Sequence, residues 1–175
     1  MSNLSSMPIA DYREKYNLTA LLETGTEGGF GVSIALRAGF KRIYSCEIVF
    51  DLYNESMEKY GDKKEVHLFY GSSLEVLPAM LDLVQEDKVL FWLDAHMTVD
   101  EKGLYREEDR FPLARELSMI LGRRDCKEDV FLIDDIDLYT EGFGMSEILK
   151  MFPNHFYEMH HPTESDKTLM LFPNI

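Results

Sequence analysis

Apolar and polar positions alternate along this chain in short blocks. "LTALLETG" is an apolar run that stops at a turn, "GGFGVSIALRAGF" spaces its apolar residues as a helix does and closes on glycine, and "KRIYSCEI" is again strand-like. Together they predict one βαβ unit. The rhythm continues with a helix over Asp51 to Tyr60, the strand "EVHLFYG", the helix "SLEVLPAMLDLV", the strand "KVLFWLD", a helix from Pro112 to Leu121 and the strand "DVFLIDD". Runs that are apolar throughout, rather than at every second residue, predict strands buried on both faces of a parallel sheet. After a helix near Ser146 to Met151, "NHFYEMHH" and "TLMLFPN" are joined by the turn-like "PTESDK", too short a link for parallel strands. A short helix around Ile9 to Tyr16 opens the chain. The expected fold class is α/β, one domain over residues 1–175. Its sheet is doubly wound, Rossmann-like and mostly parallel, with seven strands in the order 3-2-1-4-5-7-6 and an antiparallel hairpin at the end.

Composition narrows the partners. A net charge of -14 repels a polyphosphate backbone, so nucleic acid is not an expected ligand. No apolar run approaches the ~20 residues of a membrane span, and the N-terminus lacks a basic region followed by an apolar stretch. The expectation is a cytoplasmic protein with no membrane partner. Cys46 and Cys126 have neither metal-ligand spacing nor a disulfide pattern and read as structural thiols.

The chemistry concentrates where strands end. In "LLETGTEGGFGVSIAL", strand one is expected to end at Glu23 and the helix to begin near Gly28, with Gly25, Thr26 and Gly29 in the turn. Such a turn lets a ligand approach the backbone and points a helix N-terminus at it. Glu47 ends strand two about 20 residues later, where an acid accepts hydrogen bonds from ribose hydroxyls. The G-x-G-x-x-G dinucleotide fingerprint is absent, and Glu23 and Glu27 crowd the place of a pyrophosphate. S-adenosylmethionine, with a cationic sulfonium, an ammonium and no phosphate, suits those acids better. Ser72 and Ser73 after strand three either contact the adenine edge or cap the next helix.

Strands four and five end in Asp94 and in Asp134 with Asp135, and Asp137 follows. Ligands of open α/β sheets bind beyond the carboxyl ends of the strands, where strand order reverses. Neighbouring strands are ~4.8 Å apart, and a like-charged pair at ~5 Å costs about 3 kcal/mol at an effective dielectric near 20. A proton, a Lys or Arg, or a divalent cation (Mg²⁺ or Ca²⁺) would offset that. His96, two residues beyond Asp94, is placed to act as a base. The same residues also suit plain capping and structural roles. His155, His160 and His161 are expected in edge-strand or surface roles. The acid-rich "DEKGLYREEDR" reads as a solvated loop, or as a lid with Tyr105 and Arg106 as contacts.

In combination, Glu23-Thr24-Gly25-Thr26, Phe91 to His96, "PLAREL" from Pro112 and Ile133-Asp134-Asp135 resemble class I S-adenosylmethionine-dependent methyltransferases over nearly the whole chain. The specific likeness is to a bacterial group with an E-T-G-T turn, an F-W-L-D-[AG]-H strand end and an I-D-D strand end. The strand ends also resemble metal-dependent sugar O-methyltransferases of the macrocin and novobiocin type. That resemblance implies a cation held by Asp94, Asp134 and Asp135, with His96 as general base. It also implies a small-molecule hydroxyl acceptor, a sugar among the candidates. Where the bacterial group has a Gly/Ser-rich insertion after the histidine, this chain has "MTVDEKGLYREEDRF". Two rival readings are a non-catalytic cofactor- or partner-binding module and a nucleotide-sugar or NAD enzyme. A homodimer through the terminal hairpin is a further expectation.

Overall fold

The structure, a computed structural model, describes residues 3–85, 87–95, 112–138, 143–161 and 167–174. Seven strands form one sheet of order β3-β2-β1-β4-β5-β7-β6. They are β1 (Ala20–Thr24), β2 (Arg42–Glu47), β3 (Val66–Tyr70), β4 (Val89–Leu93), β5 (Val130–Ile133), β6 (His155–His160) and β7 (Thr168–Pro173). The first five pair in parallel, and β7 runs antiparallel to both β5 and β6. The order is the one the sequence predicts.

Helices cover both faces, so β1, β4 and β5 are buried at every residue. One face carries α1 (Ile9–Lys15) and α2 (Phe30–Arg37), whose Ile9, Val32, Ile34 and Ala35 pack on Leu21, Ile43, Leu90 and Trp92. The other carries α4 (Ser73–Leu83), α5 (Leu113–Arg123) and α6 (Met145–Met151). Leu77, Leu81, Leu117 and Ile148 from these helices pack on Leu22, Phe91, Phe131 and Leu171. Helix α3 (Phe50–Tyr60) links β2 to β3. Strand β3 differs from the expectation of continuous burial. β3 and β6 lie at the sheet edges, and both are partly exposed, with Tyr70 and Tyr157 each about half open to solvent.

Strand parity then assigns each side chain at the carboxyl ends to a face. Leu21 and Glu23 point to the α2 side, whereas Leu22 and Thr24 point to the α4–α5 side.

Candidate active site

Glu23 is buried on the α2 side, one residue before the end of β1. Ser45, its register neighbour on β2, donates its hydroxyl to Glu23 Oε2 at 2.5 Å, and Thr26 Oγ1 lies 2.6 Å from the same serine oxygen. Burial pushes the carboxyl up to about 8, the Ser45 hydrogen bond opposes that, and the charges of Asp94, Glu47 and Glu27 add to it. Gly31, in the first turn of α2, makes room for this acid, since a Cβ there would sit 1.7 Å from Glu23 Oε1.

The raised value has a consequence for stability. Unfolded, this carboxyl releases its proton near 4.5, whereas folded it keeps the proton to about 8. Between those values the folded state binds more protons, so stability falls as pH rises. Melting temperature measured from pH 5 to pH 8 is expected to decline, and Glu23→Gln to flatten the decline. An equal slope in that variant would remove Glu23 as its source.

The turn after β1 is built around Glu47. Gly25 (φ +87°) and Thr26 donate their N–H groups to Cys46 O, each at 3.0 Å. Gly25 lies so close to β4 that a Cβ would meet Asp94 O at 2.9 Å. Glu27 adopts φ +49°, and its N–H donates to Glu47 Oε2 at 2.8 Å. Val49 N–H donates to Glu47 Oε1 at the same distance. The loop carbonyls are tied to α3, with Ser56 Oγ donating to Glu27 O at 3.1 Å and Lys59 Nζ to Gly28 O at 3.3 Å. Gly29 (φ +78°) then starts α2 in close contact with the Tyr60 ring. Glu23, Gly25, Thr26, Gly28, Gly29 and Glu47 therefore do meet at one place. The Ile48 N–H also acts on this carboxylate, so three of its roughly four acceptor positions face the backbone and acceptor capacity remains for a ligand.

Ser72 occupies the N-cap position of α4, but its side chain makes no capping hydrogen bond, so the capping alternative does not describe this hydroxyl. Ser72 and Ser73 are both buried beside the site.

The aspartates behave differently from one another. Asp94 follows β4 and donates its N–H to Thr24 O at 3.1 Å, and Asp134 donates its own to Leu93 O at 3.1 Å. The Asp134 side chain turns toward β7, where Thr168 Oγ1 donates to Oδ1 at 2.6 Å. Asp135 adopts φ +47°, and Asp137 pairs with Lys167 at 2.5 Å. Among the described residues no three carboxylate, imidazole or thiolate groups come together as an ion requires. The set Asp94, Asp134 and Asp135 does not by itself fit a divalent cation.

His96 lies outside the described residues, as do Tyr105 and Arg106. His155 and His160 belong to edge strand β6, where they contact Asp129 O at 3.0 Å and Ser6 Oγ at 2.7 Å. Neither is part of the site.

Glu116 was not singled out by sequence reasoning. It is buried in the first turn of α5, on the opposite side of the sheet from Glu23. Burial raises its carboxyl to about 7, the hydroxyls of Ser73 and Thr24 oppose this, and the Asp94 charge adds to it. Two buried acids thus flank the end of β1, one under each face.

A cleft of about 470 Å³ opens at the opposite pole, lined among others by Lys88, Arg124, Lys127 and Asp129. Its charges are already paired, Lys88 with Glu128, Arg124 with Asp129, Lys127 with Asp125, and Asp87 with Arg42 from outside it. It faces the amino ends of the strands, so we place the site at the carboxyl ends.

No family model and no curated protein sequence matches the chain. Solved structures do. A methyltransferase from Geobacter sulfurreducens superposes with a TM-score of 0.65 at 13% identity, covering 99% of this chain and 80% of that one. The O-methyltransferase TomG from Streptomyces achromogenes, involved in tomaymycin synthesis and solved in complex with SAM, gives 0.64 at 14%, covering 99% and 82%. An O-methyltransferase from Bacillus cereus in complex with SAH gives 0.64 at 12%, covering 98% and 82%. At these identities the likeness is one of fold, the Rossmann-like fold of class I methyltransferases.

Proposed function

We propose that the protein is an S-adenosylmethionine-dependent O-methyltransferase acting on a hydroxyl group of a small molecule, with sugars among the candidate acceptors. The observation that carries this reading is the convergence of Glu23, Glu47 and the glycine turn at the strand ends, in a fold whose neighbours include SAM- and SAH-bound enzymes. Acids crowding the turn suit a cationic ligand and oppose a pyrophosphate.

Bound there, S-adenosylmethionine supplies a methyl group on a positively charged sulfur. Glu47 would hold the ribose hydroxyls with its remaining acceptor capacity, the backbone of Gly25 to Gly29 would bind the methionine portion, and Ser72 with Ser73 would contact the adenine. Asp94 would keep the potential negative around the sulfonium, and the bound cation would favour ionisation of the Glu23 carboxyl, which without it holds its proton to about 8. His96 would take the proton of the acceptor hydroxyl, whose oxygen would then accept the methyl group while sulfur keeps the electron pair of the broken C–S bond. A positioned base contributes roughly 10²- to 10⁴-fold, and alignment of the two reactants supplies much of the rest.

The test is calorimetric titration with S-adenosylmethionine, with Mg²⁺ and with chelator, on wild type, Asp94→Ala and His96→Ala. His96→Ala is expected to bind the cofactor within about 3-fold of wild type and to lose roughly 10²-fold or more in turnover on an acceptor found by screening. A wild-type rate in that variant would remove the base. An Mg²⁺ effect that disappears in Asp94→Ala would bring a cation into the mechanism. Cofactor binding without turnover on any hydroxyl would leave a binding module. The same samples test the homodimer proposed through edge strand β6, which exposes Phe156 and Tyr157. A monomer in sedimentation would end that part of the reading.

A further inference from the structure

Helix α5 buries Leu113, Glu116, Leu117 and Ile120. Those positions are spaced as the apolar stripe of an amphipathic helix, and one of the four is a carboxyl. Glu116 is 1% exposed and Thr24 is fully buried; the Thr24 hydroxyl acts on the Glu116 carboxyl without the geometry of a completed hydrogen bond, and Glu116 Oε1 and Thr24 Oγ1 have no other partner among the described residues. Buried polar atoms are ordinarily satisfied, and an apolar side chain of the same size would spare the helix the desolvation of a carboxyl. Packing alone therefore does not account for an acid here.

Its location does. Thr24 is the last residue of β1 and the first step of the glycine turn, and its carbonyl holds Asp94 through the 3.1 Å hydrogen bond. Ser73 is the first residue of α4, and its hydroxyl acts on the same carboxyl. Glu116 thus stands where the turn after β1, the start of α4 and the start of α5 come together. The first two of those segments carry the proposed cofactor contacts.

We propose that Glu116 is a positioning residue of the cofactor site, acting through Thr24 and Ser73 to set the gap between the glycine turn and the start of α4. The inference rests on the methyltransferase reading, and it assigns Glu116 a function in ligand affinity rather than in holding the fold together.

The test compares Glu116→Leu, Glu116→Gln and Thr24→Val by thermal melting and by calorimetric titration with S-adenosylmethionine. Glu116→Leu is expected to melt no lower than wild type and to bind at least tenfold more weakly. Glu116→Gln, which keeps the shape and an acceptor, should bind within about threefold of wild type, and Thr24→Val should lose several-fold without a fall in melting temperature. Wild-type affinity in Glu116→Leu would overturn the proposal. If Glu116→Leu does not fold, wild-type affinity in Thr24→Val overturns it instead. Absence of binding by the wild-type protein is a different result, which would sink the methyltransferase reading and this inference with it.

Discussion

Gly31→Ala is expected to destabilise the protein and abolish cofactor binding, although helix propensity alone predicts the reverse. An alanine inside an exposed helix is better than glycine by roughly 0.5–1 kcal/mol. Gly31, however, is buried in the first turn of α2, and the added Cβ would lie 1.7 Å from Glu23 Oε1 and 2.8 Å from its carboxyl carbon. No real contact is that short, so either α2 lifts away from β1 or the carboxyl swings and leaves Ser45. Overpacking of this kind costs about 1–3 kcal/mol, enough to reverse the propensity gain. Both escapes also deform the turn from Gly25 to Gly29 that the ligand must touch. Denaturant midpoints and S-adenosylmethionine titration would check this, with a double-mutant cycle against Glu23→Ala. In the Glu23→Ala background the same substitution should become neutral or stabilising, because the atom it strikes is gone. A full cost in that background would mean that the clash is with something other than Glu23.

The Gly31 contact also marks the limit of what the sequence discloses. The strands of the sheet centre were legible as apolar runs, and the strand ends Glu23, Glu47 and Asp94 were legible as acids following such runs. The boundaries moved by small amounts for local reasons. β1 runs on to Thr24 because that residue still pairs with Cys46 and Leu93, and α2 starts at Phe30 because Gly29 is left-handed. Side-chain direction was harder to foresee. Asp134 and Asp94 end adjacent strands, which suggested a shared ion, yet Asp134 lies opposite Thr168 on β7 and its oxygen is used there. That pairing depends on an antiparallel neighbour more than thirty residues away. Glu116 had a usable signal, an acid at a core-facing helical position between Leu113 and Ile120. Its partners Thr24 and Ser73 come from two other elements and could not be named in advance.

Arg124→Met is expected to cost roughly 3–5 kcal/mol of stability while leaving cofactor affinity unchanged. Arg124 follows α5 in extended conformation, and its guanidinium forks onto Asp129, Nε to Oδ2 and Nη2 to Oδ1, each at 2.9 Å. The same group donates to Val84 O at 2.6 Å and to Asp87 O at 2.7 Å, closing the end of α4 and the approach to β4. Asp129 in turn accepts the N–H of Val89 at 2.8 Å, the first residue of β4. Both side chains of the pair are almost wholly buried, 5% and 2% exposed. Burial already raises the Asp129 carboxyl, with Arg124 as the largest opposing influence, so removing the cation strands an acid in the interior and frees two carbonyls. Asp129→Asn together with Arg124→Met should therefore cost less than Arg124→Met alone, since the stranded charge is gone. The pair lies at the amino ends of the strands, away from Glu23 and Glu47, and S-adenosylmethionine affinity under native conditions should stay within about 2-fold of wild type. Guanidinium unfolding with titration on the folded fraction separates the two effects. Loss of affinity in a folded variant would show that the two poles of the sheet are coupled.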